Sequence, residues 1–90
     1  MDAFLKALAA LPNGYFKASY HGAPYGVTVE RLSGGRQVKL YAEHLGGADH
    51  VSFNLYLPTS GKTLLKPCEM PAEKVISFVE GVERAGPELI

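Results

Sequence analysis

Hydrophobic residues change their spacing twice along the chain, and the changes divide it into a helix, a run of strands and a second helix. Near the N-terminus the apolar side chains recur at i, i+1, i+4 and i+7, which places them on one face of an α-helix: Phe4, Leu5, Leu8 and Leu11. Asp2 is suited to cap the start of this helix, and Pro12-Asn13-Gly14 predicts its end.

From Tyr15 onward the apolar positions alternate and turn residues recur every eight to thirteen positions, which is typical of consecutive β-hairpins. The pattern predicts four or five strands near 15–20, 25–32, 36–43, 50–57 and 62–66. Glycine- and proline-containing turns separate them, including 21–24, 33–35 and 58–61. Pro67 removes a backbone donor, so we expect the fifth strand at a sheet edge.

The third and fourth strands carry the clearest alternation, and it fixes which side chains face the core. The inward set is Val38, Leu40 and Ala42, followed by Val51, Phe53, Leu55 and Leu57. The outward set is Gln37, Lys39, Tyr41 and Glu43, followed by His50, Ser52, Asn54 and Tyr56.

The last apolar segment returns to helical spacing. Pro71 suits the first turn and Glu73 complements the helix dipole. The apolar face is formed by Ala72, Val75, Ile76, Val79 and Val82. Glu80 and Arg84 could pair at i, i+4, and Gly86-Pro87 predicts the end of the helix.

These elements predict one α+β domain over residues 1–90, with an antiparallel meander sheet of four or five strands and both helices packed on one face. The predicted core comprises Phe4, Leu8, Leu11, Val27, Val29, Val38, Leu40, Val51, Phe53, Leu55, Val75, Ile76, Val79 and Val82. The other face of the sheet is left bare. It would carry Tyr15, Lys17, Lys39, Tyr41, Ser52, Asn54, Tyr56, Lys62 and Lys66, together with Glu30 and Glu43.

Charge and cysteine content narrow the function classes. Nine basic and nine acidic residues cancel, so the net charge gives no reason to expect strong attraction to nucleic acid or an anionic membrane, and any such binding would have to be local. The chain shows no secretory leader and no apolar run long enough to span a membrane. A lone Cys68 cannot form an intramolecular disulfide, so we expect a reduced, cytoplasmic protein.

The bare face is the main candidate binding surface, through Tyr15, Lys17, Lys39, Tyr41, Asn54, Tyr56 and Lys66. Tyrosines are enriched at protein interfaces, and a small domain with one open sheet face can bury it against a second copy or a protein partner. We therefore predict a non-enzymatic binding or assembly module. The alternative is a single-stranded nucleic-acid-binding domain, because tyrosines stack bases and lysines contact phosphates.

Hairpins followed by a proline-initiated helix resemble, in the order of their elements, the single-strand-binding coactivator and Whirly-type domains. The resemblance covers strands two to five and the last helix. It implies a dimer that holds DNA on its sheet. Glu30 and Glu43 depart from the basic sheets of those domains.

A further alternative, a thiol-dependent enzyme or a redox-sensitive protein, centres on Cys68, which lies between two prolines at a strand-to-helix junction. A thiol near a helix N-terminus can become a thiolate nucleophile, with His44 or His50 as its base. A free cysteine is more commonly a small packing residue. No spacing of cysteines and histidines is typical of a zinc site, and no glycine-rich motif is typical of a phosphate or cofactor site, so we predict neither metal nor cofactor.

Overall fold

The computed structural model describes residues 2–59 and 61–84, and within them two helices flank a series of short strands. The elements are α1 (Asp2–Ala9), β1 (Gly14–Tyr20), β2 (Ala23–Leu32), β3 (Gln37–His44), β4 (His50–Tyr56), β5 (Leu64–Pro67), α2 (Ala72–Gly81) and β6 (Glu83–Arg84). One 3-10 turn (Ser33–Gly35) lies in the connection between β2 and β3.

The described strands form one antiparallel sheet in the order β5-β4-β3-β2-β1-β6. Strands β1 to β5 follow each other as the predicted meander, which confirms the α+β class. The two-residue strand β6 pairs with the outer edge of β1, where Ser19 is opposite Glu83. Helix α2 therefore connects the two edges of the sheet, from β5 to β6.

The turn between β1 and β2 is tighter than the sequence pattern predicted. Tyr20 pairs directly with Ala23, which leaves only His21 and Gly22 in the loop. Both loop residues have positive φ, 52° and 79°, as a two-residue type I′ hairpin requires. Strand β2 therefore begins at Ala23 rather than near Tyr25.

The core lies between the sheet and the two helices. Its buried members are Phe4, Leu8, Leu11, Ala18, Tyr25, Val27, Val29, Val38, Leu40, Ala42, Val51, Phe53, Leu55, Val75, Phe78 and Val79. The rings of Phe4 and Phe53 lie 5.8 Å apart, so α1 packs directly on β4. The predicted phase of the strands is confirmed, because Phe53 is buried whereas Tyr41 is exposed on the opposite face.

Arg31 holds the C-terminal end of α1. Its Nη2 donates hydrogen bonds of 2.9 Å to the carbonyl oxygens of Leu8 and Leu11, and its Nη1 donates one of 2.6 Å to Asn13 Oδ1. The last carbonyls of a helix lack intrahelical partners and carry partial negative charge. A guanidinium from β2 therefore satisfies the helix end and fixes α1 to the sheet.

Helix α2 departs from the prediction at its C-terminal end. It ends at Gly81, with Val82 as the C-cap donating its backbone N–H to the carbonyl of Phe78, whereas the sequence pattern placed the end at Gly86-Pro87. The predicted helical pair of Glu80 and Arg84 is wrong, because Arg84 belongs to β6. Gly86 and Pro87 themselves lie outside the described residues.

The buried face of α2 is also rotated from the predicted one. Phe78, which the prediction omitted, is fully buried and contacts Tyr20 and Tyr25 with ring centroids 4.9 and 5.2 Å away. Ile76 and Val82, which the prediction placed in the core, are only partly buried at its margin. Phe78 therefore packs among aromatic side chains of β1 and β2.

Candidate functional site

The open face of the sheet is the side opposite the two helices. We define it by the outward side chains of β1 to β5: Tyr15, Lys17, Ser19, Pro24, Thr28, Glu30, Leu32, Gln37, Lys39, Tyr41, Glu43, His50, Ser52, Asn54, Tyr56, Leu64 and Lys66. All seven predicted binding residues lie on it. Lys62 was predicted to join them from the fifth strand, but that strand begins at Leu64 and Lys62 lies in the preceding connection.

Strand register orders the open face into rows that run across the strands. The tyrosine row contains Tyr15, Thr28, Tyr41 and Ser52. On one side of it, the Glu43 row contains Lys17, Gly26, Glu43 and His50. On the other side, the Lys39 row contains Glu30, Lys39, Asn54 and Lys66.

Large apolar side chains are unusually exposed on this face. Tyr15 is 61% exposed, Leu64 49% and Tyr41 47%. The fourth large hydrophobic residue that is exposed in the described part of the chain, Leu45, lies in the connection between β3 and β4. Apolar surface concentrated on one face, with polar groups between, is typical of an interaction surface.

Two contacts order the aromatic side chains of the open face. The ring of Tyr15 lies over Gly26, where a larger residue would meet it. The rings of Tyr41 and His50 are stacked, with centroids 6.2 Å apart and an interplanar angle of 28°. These contacts limit the rotamers of Tyr15 and Tyr41, so less side-chain freedom would be lost on binding.

A shallow depression of about 230 Å³ lies at the centre of the face. Its lining includes Thr28, Glu30, Lys39, Tyr41, Ser52 and Asn54. The depression is open, and hydroxyl, amide and charged groups surround it together with one aromatic ring. It can receive a side chain from a partner, but it is too shallow to enclose a small molecule.

Charges of both signs are interspersed on the open face. Lys17, Lys39 and Lys66 stand among Glu30 and Glu43. Among the described residues the single ion pair joins Lys74 Nζ to Asp49 Oδ1 at 2.6 Å, and neither belongs to the open face. The charged groups of the face are therefore available to a partner.

The three residues of the predicted thiol site lie in different elements: Cys68 in the connection between β5 and α2, His44 in β3 and His50 in β4. Cys68 is exposed between β5 and α2, and its backbone N–H donates to the carbonyl of Ser52. His44 stacks on Tyr25, with centroids 5.3 Å apart, toward the helix-covered side of the sheet. His50 stacks on Tyr41 of the open face. Each histidine is thus engaged with a tyrosine.

The sequence analysis did not predict a hydrogen-bonded network of three side chains at the end of the sheet. The hydroxyl of Tyr25 donates to Asp49 Oδ2 at 3.2 Å, and Lys74 of α2 donates to Asp49 Oδ1. The hydrogen bond from Lys74 is the main cause that lowers the pKa of Asp49. Burial, followed by its bond to Asp49, raises the pKa of Tyr25. This hydrogen-bonded network connects α2 to β2 and to the loop before β4.

The residues in 2–59 and 61–84 contain no group of three or more histidine, cysteine, aspartate or glutamate side chains placed to hold a metal ion. None of the helices in these ranges has the length and apolar character needed to cross a bilayer. No family model, curated protein or solved structure matches the chain. The likeness to the coactivator and Whirly-type domains therefore rests on the order of elements alone.

Proposed function

We propose that this chain is a non-enzymatic binding or assembly module whose working surface is the open face of its sheet, which associates with a second copy or another protein. The observation that carries the proposal is the joint exposure of Tyr15, Tyr41 and Leu64 on the sheet face that neither of the two described helices covers. Burial of such apolar area against a partner is the main favourable term in protein association.

The composition of the face agrees with a protein partner. Tyrosine presents apolar area and a hydroxyl together, and it is enriched where interfaces are fully desolvated. Asn54 and Ser52 supply hydrogen-bonding groups around the central depression. The charges supply orientation and specificity rather than bulk attraction.

Single-stranded nucleic acid is the second candidate, because three tyrosines and three lysines share the face. Glu30 and Glu43 stand among those lysines, and the chain has no net charge, so phosphate binding lacks the excess positive charge on which it depends. Fluorescence anisotropy with a labelled oligonucleotide tests this directly. Tight binding that weakens steeply as the salt concentration rises would show that the partner is nucleic acid and not protein.

A thiol-dependent activity is the third candidate, and the alkylation rate of Cys68 measured against pH tests it. A lone cysteine favours a reducing compartment such as the cytoplasm, in which a thiol stays free. A nucleophilic thiolate would react rapidly well below the ordinary thiol pKa of about 8.5. Alkylation that becomes rapid only near that pKa would exclude Cys68 as a nucleophile.

Site-specific photo-cross-linking tests the working surface itself. A photoreactive benzophenone amino acid replaces Tyr41 on the open face or, as a matched control, Glu80 on the exposed side of α2. Two samples are irradiated: the purified chain in solution, and the cells that produce it. In each, we expect a discrete adduct from position 41 and none from position 80. The absence of an adduct from position 41, or equal adducts from both positions, would overturn the proposal.

A further inference from the structure

We propose that the partner of the open face is a second copy of this chain, bound face to face about a two-fold axis that runs along the tyrosine row. This inference rests on the proposed function and specifies its partner. It follows from the charge pattern of the central strand β3, where Lys39, Tyr41 and Glu43 are outward side chains at successive alternate positions.

A half-turn about the tyrosine row places each strand over its own counterpart and exchanges the two flanking rows. Tyr41 then faces Tyr41 of the second copy. Lys39 of each copy faces Glu43 of the other, which creates two symmetry-related ion pairs around a tyrosine pair. In strand β4 the same operation places His50 opposite Asn54, two groups that can share a hydrogen bond.

The charges distinguish this axis from the alternative axis along the strands. A half-turn about the direction of β3 would place Lys39 over Lys39 and Glu43 over Glu43, and like charges juxtaposed in an interface are strongly unfavourable. Both side chains are exposed and neither belongs to the ion pair found among the described residues, so both can face a partner. Because β3 is the central strand of β1 to β5, sheet twist displaces its side chains least.

The size of the face sets the strength expected of this contact. Five strands spaced about 4.8 Å apart, with about seven residues at about 3.3 Å each, give a face on the order of 500 Å² per copy. The total, about 1,000 Å², lies at the lower limit for a specific interface. We therefore expect a reversible dimer that dissociates on dilution.

A charge-exchange experiment by sedimentation equilibrium tests the proposed axis. Lys39→Glu places four acidic groups across the interface and Glu43→Lys places four basic groups there, so each variant should raise the dimer dissociation constant by at least about tenfold. An equimolar mixture of the two should associate again as a heterodimer, because each Glu then faces a Lys. The double variant Lys39→Glu/Glu43→Lys should form a homodimer like the parent.

Lys66→Glu is the matched control, because it makes the same charge change on the same face but lies on the edge strand β5, where no charged side chain of the facing row lies opposite it. It should leave the dissociation constant within about twofold. Circular dichroism shows whether each variant is folded, and the double variant replaces any single variant that is not. Folded variants that fail to re-associate on mixing, together with a double variant that stays monomeric, would overturn the axis.

The outcome also separates this inference from the function on which it rests. The purified chain could stay monomeric at all concentrations while cross-linking from position 41 captures a different protein. This result would contradict the proposed homodimer and support the binding function of the open face. A monomeric chain that gives no adduct from position 41 overturns both.

Discussion

The ring of Tyr15 lies against the backbone of Gly26, its neighbour on the adjacent strand of the open face. A Cβ built at Gly26 would lie 2.5 Å from the hydroxyl oxygen of Tyr15 and 3.0 Å from its Cε1. Glycine within a strand weakens it by about 0.5–1 kcal/mol relative to alanine, and an aromatic ring laid over the glycine offsets that loss. The pair therefore anchors one end of the tyrosine row.

Gly26→Ala should change the sign of its effect according to the residue at position 15. In the parent we expect Gly26→Ala to lower the free energy of unfolding, because the methyl group displaces the Tyr15 ring. In a Tyr15→Ala background we expect it to raise that energy by about 0.5–1 kcal/mol, since only the strand preference remains. Urea denaturation of the four proteins measures the coupling, and additive effects would contradict the contact.

Arg31→Met should destabilise the fold through the end of α1. The substitution keeps an apolar stem but removes the hydrogen bonds to the Leu8 and Leu11 carbonyls and to Asn13. Bonds from a charged donor contribute about 1.5–3 kcal/mol, so we expect a loss of this order in the free energy of unfolding. Arg31→Lys, which retains the charge without the planar fork, should lose less. If both variants lost the same free energy of unfolding, the planar geometry of the Arg31 guanidinium would not contribute to stability.

Asp49→Asn should make the free energy of unfolding depend less on pH in the acidic range. The pKa of Asp49 is lowered in the folded state from the ordinary 3.8, so its ionised form stabilises the fold above that value. The contribution disappears as the pH falls through the lowered folded pKa. The parent should thus lose more of its free energy of unfolding between neutral pH and pH values below 3.8 than Asp49→Asn does.

Chemical denaturation across that range measures the difference. Glu80→Gln serves as the control, because it removes one negative charge from the exposed side of α2. A control profile as flat as that of Asp49→Asn would assign the effect to overall charge rather than to the bonds with Lys74 and Tyr25.

Phe53→Ala and Tyr41→Ala should separate the two faces of the sheet. Phe53 is buried against Phe4, and its truncation should lower the free energy of unfolding by about 3–5 kcal/mol. Tyr41 is exposed, so its truncation should change the stability of the dilute monomer little and weaken association instead. Thermal melts at low concentration and sedimentation at high concentration provide the two measurements. Comparable melting temperatures for both variants would mean that the faces are assigned wrongly.

Strand phase and the identity of the open face could be predicted from sequence because β-strand periodicity is local. Alternation through Val38 and Leu40, and again through Val51 and Phe53, predicts that Tyr41 and Tyr56 face outward, and this requires no knowledge of the partner strands. The same locality explains why the predicted binding residues lie on the open face, whereas α1 ends at Ala9, earlier than the predicted end at Pro12-Asn13-Gly14.

The missed features depend on contacts between distant residues. Strand β6 has only two residues, too few for a pattern, and it exists because β1 offers it an edge. Helix α2 ends at Gly81, and the ring of Tyr20 from β1 lies against this glycine. A Cβ on residue 81 would be 3.1 Å from Cε1 of Tyr20, a contact between residues that are distant in sequence. The bonds of Asp49 with Tyr25 and Lys74 span more than twenty positions, and no spacing rule joins residues so far apart.

Pairing of the last described strand with the first has a consequence for how the chain is made. Ser19 is opposite Glu83, so the outer edge of β1 at Ala18 and Ser19 gains its partner only after residues 83 and 84 have been synthesised. The hairpins formed by β1 to β4 need only near neighbours and can assemble early. Until residues 83 and 84 emerge from the ribosome, we therefore expect the backbone of Ala18 and Ser19 to stay open to pairing with neighbouring polypeptides.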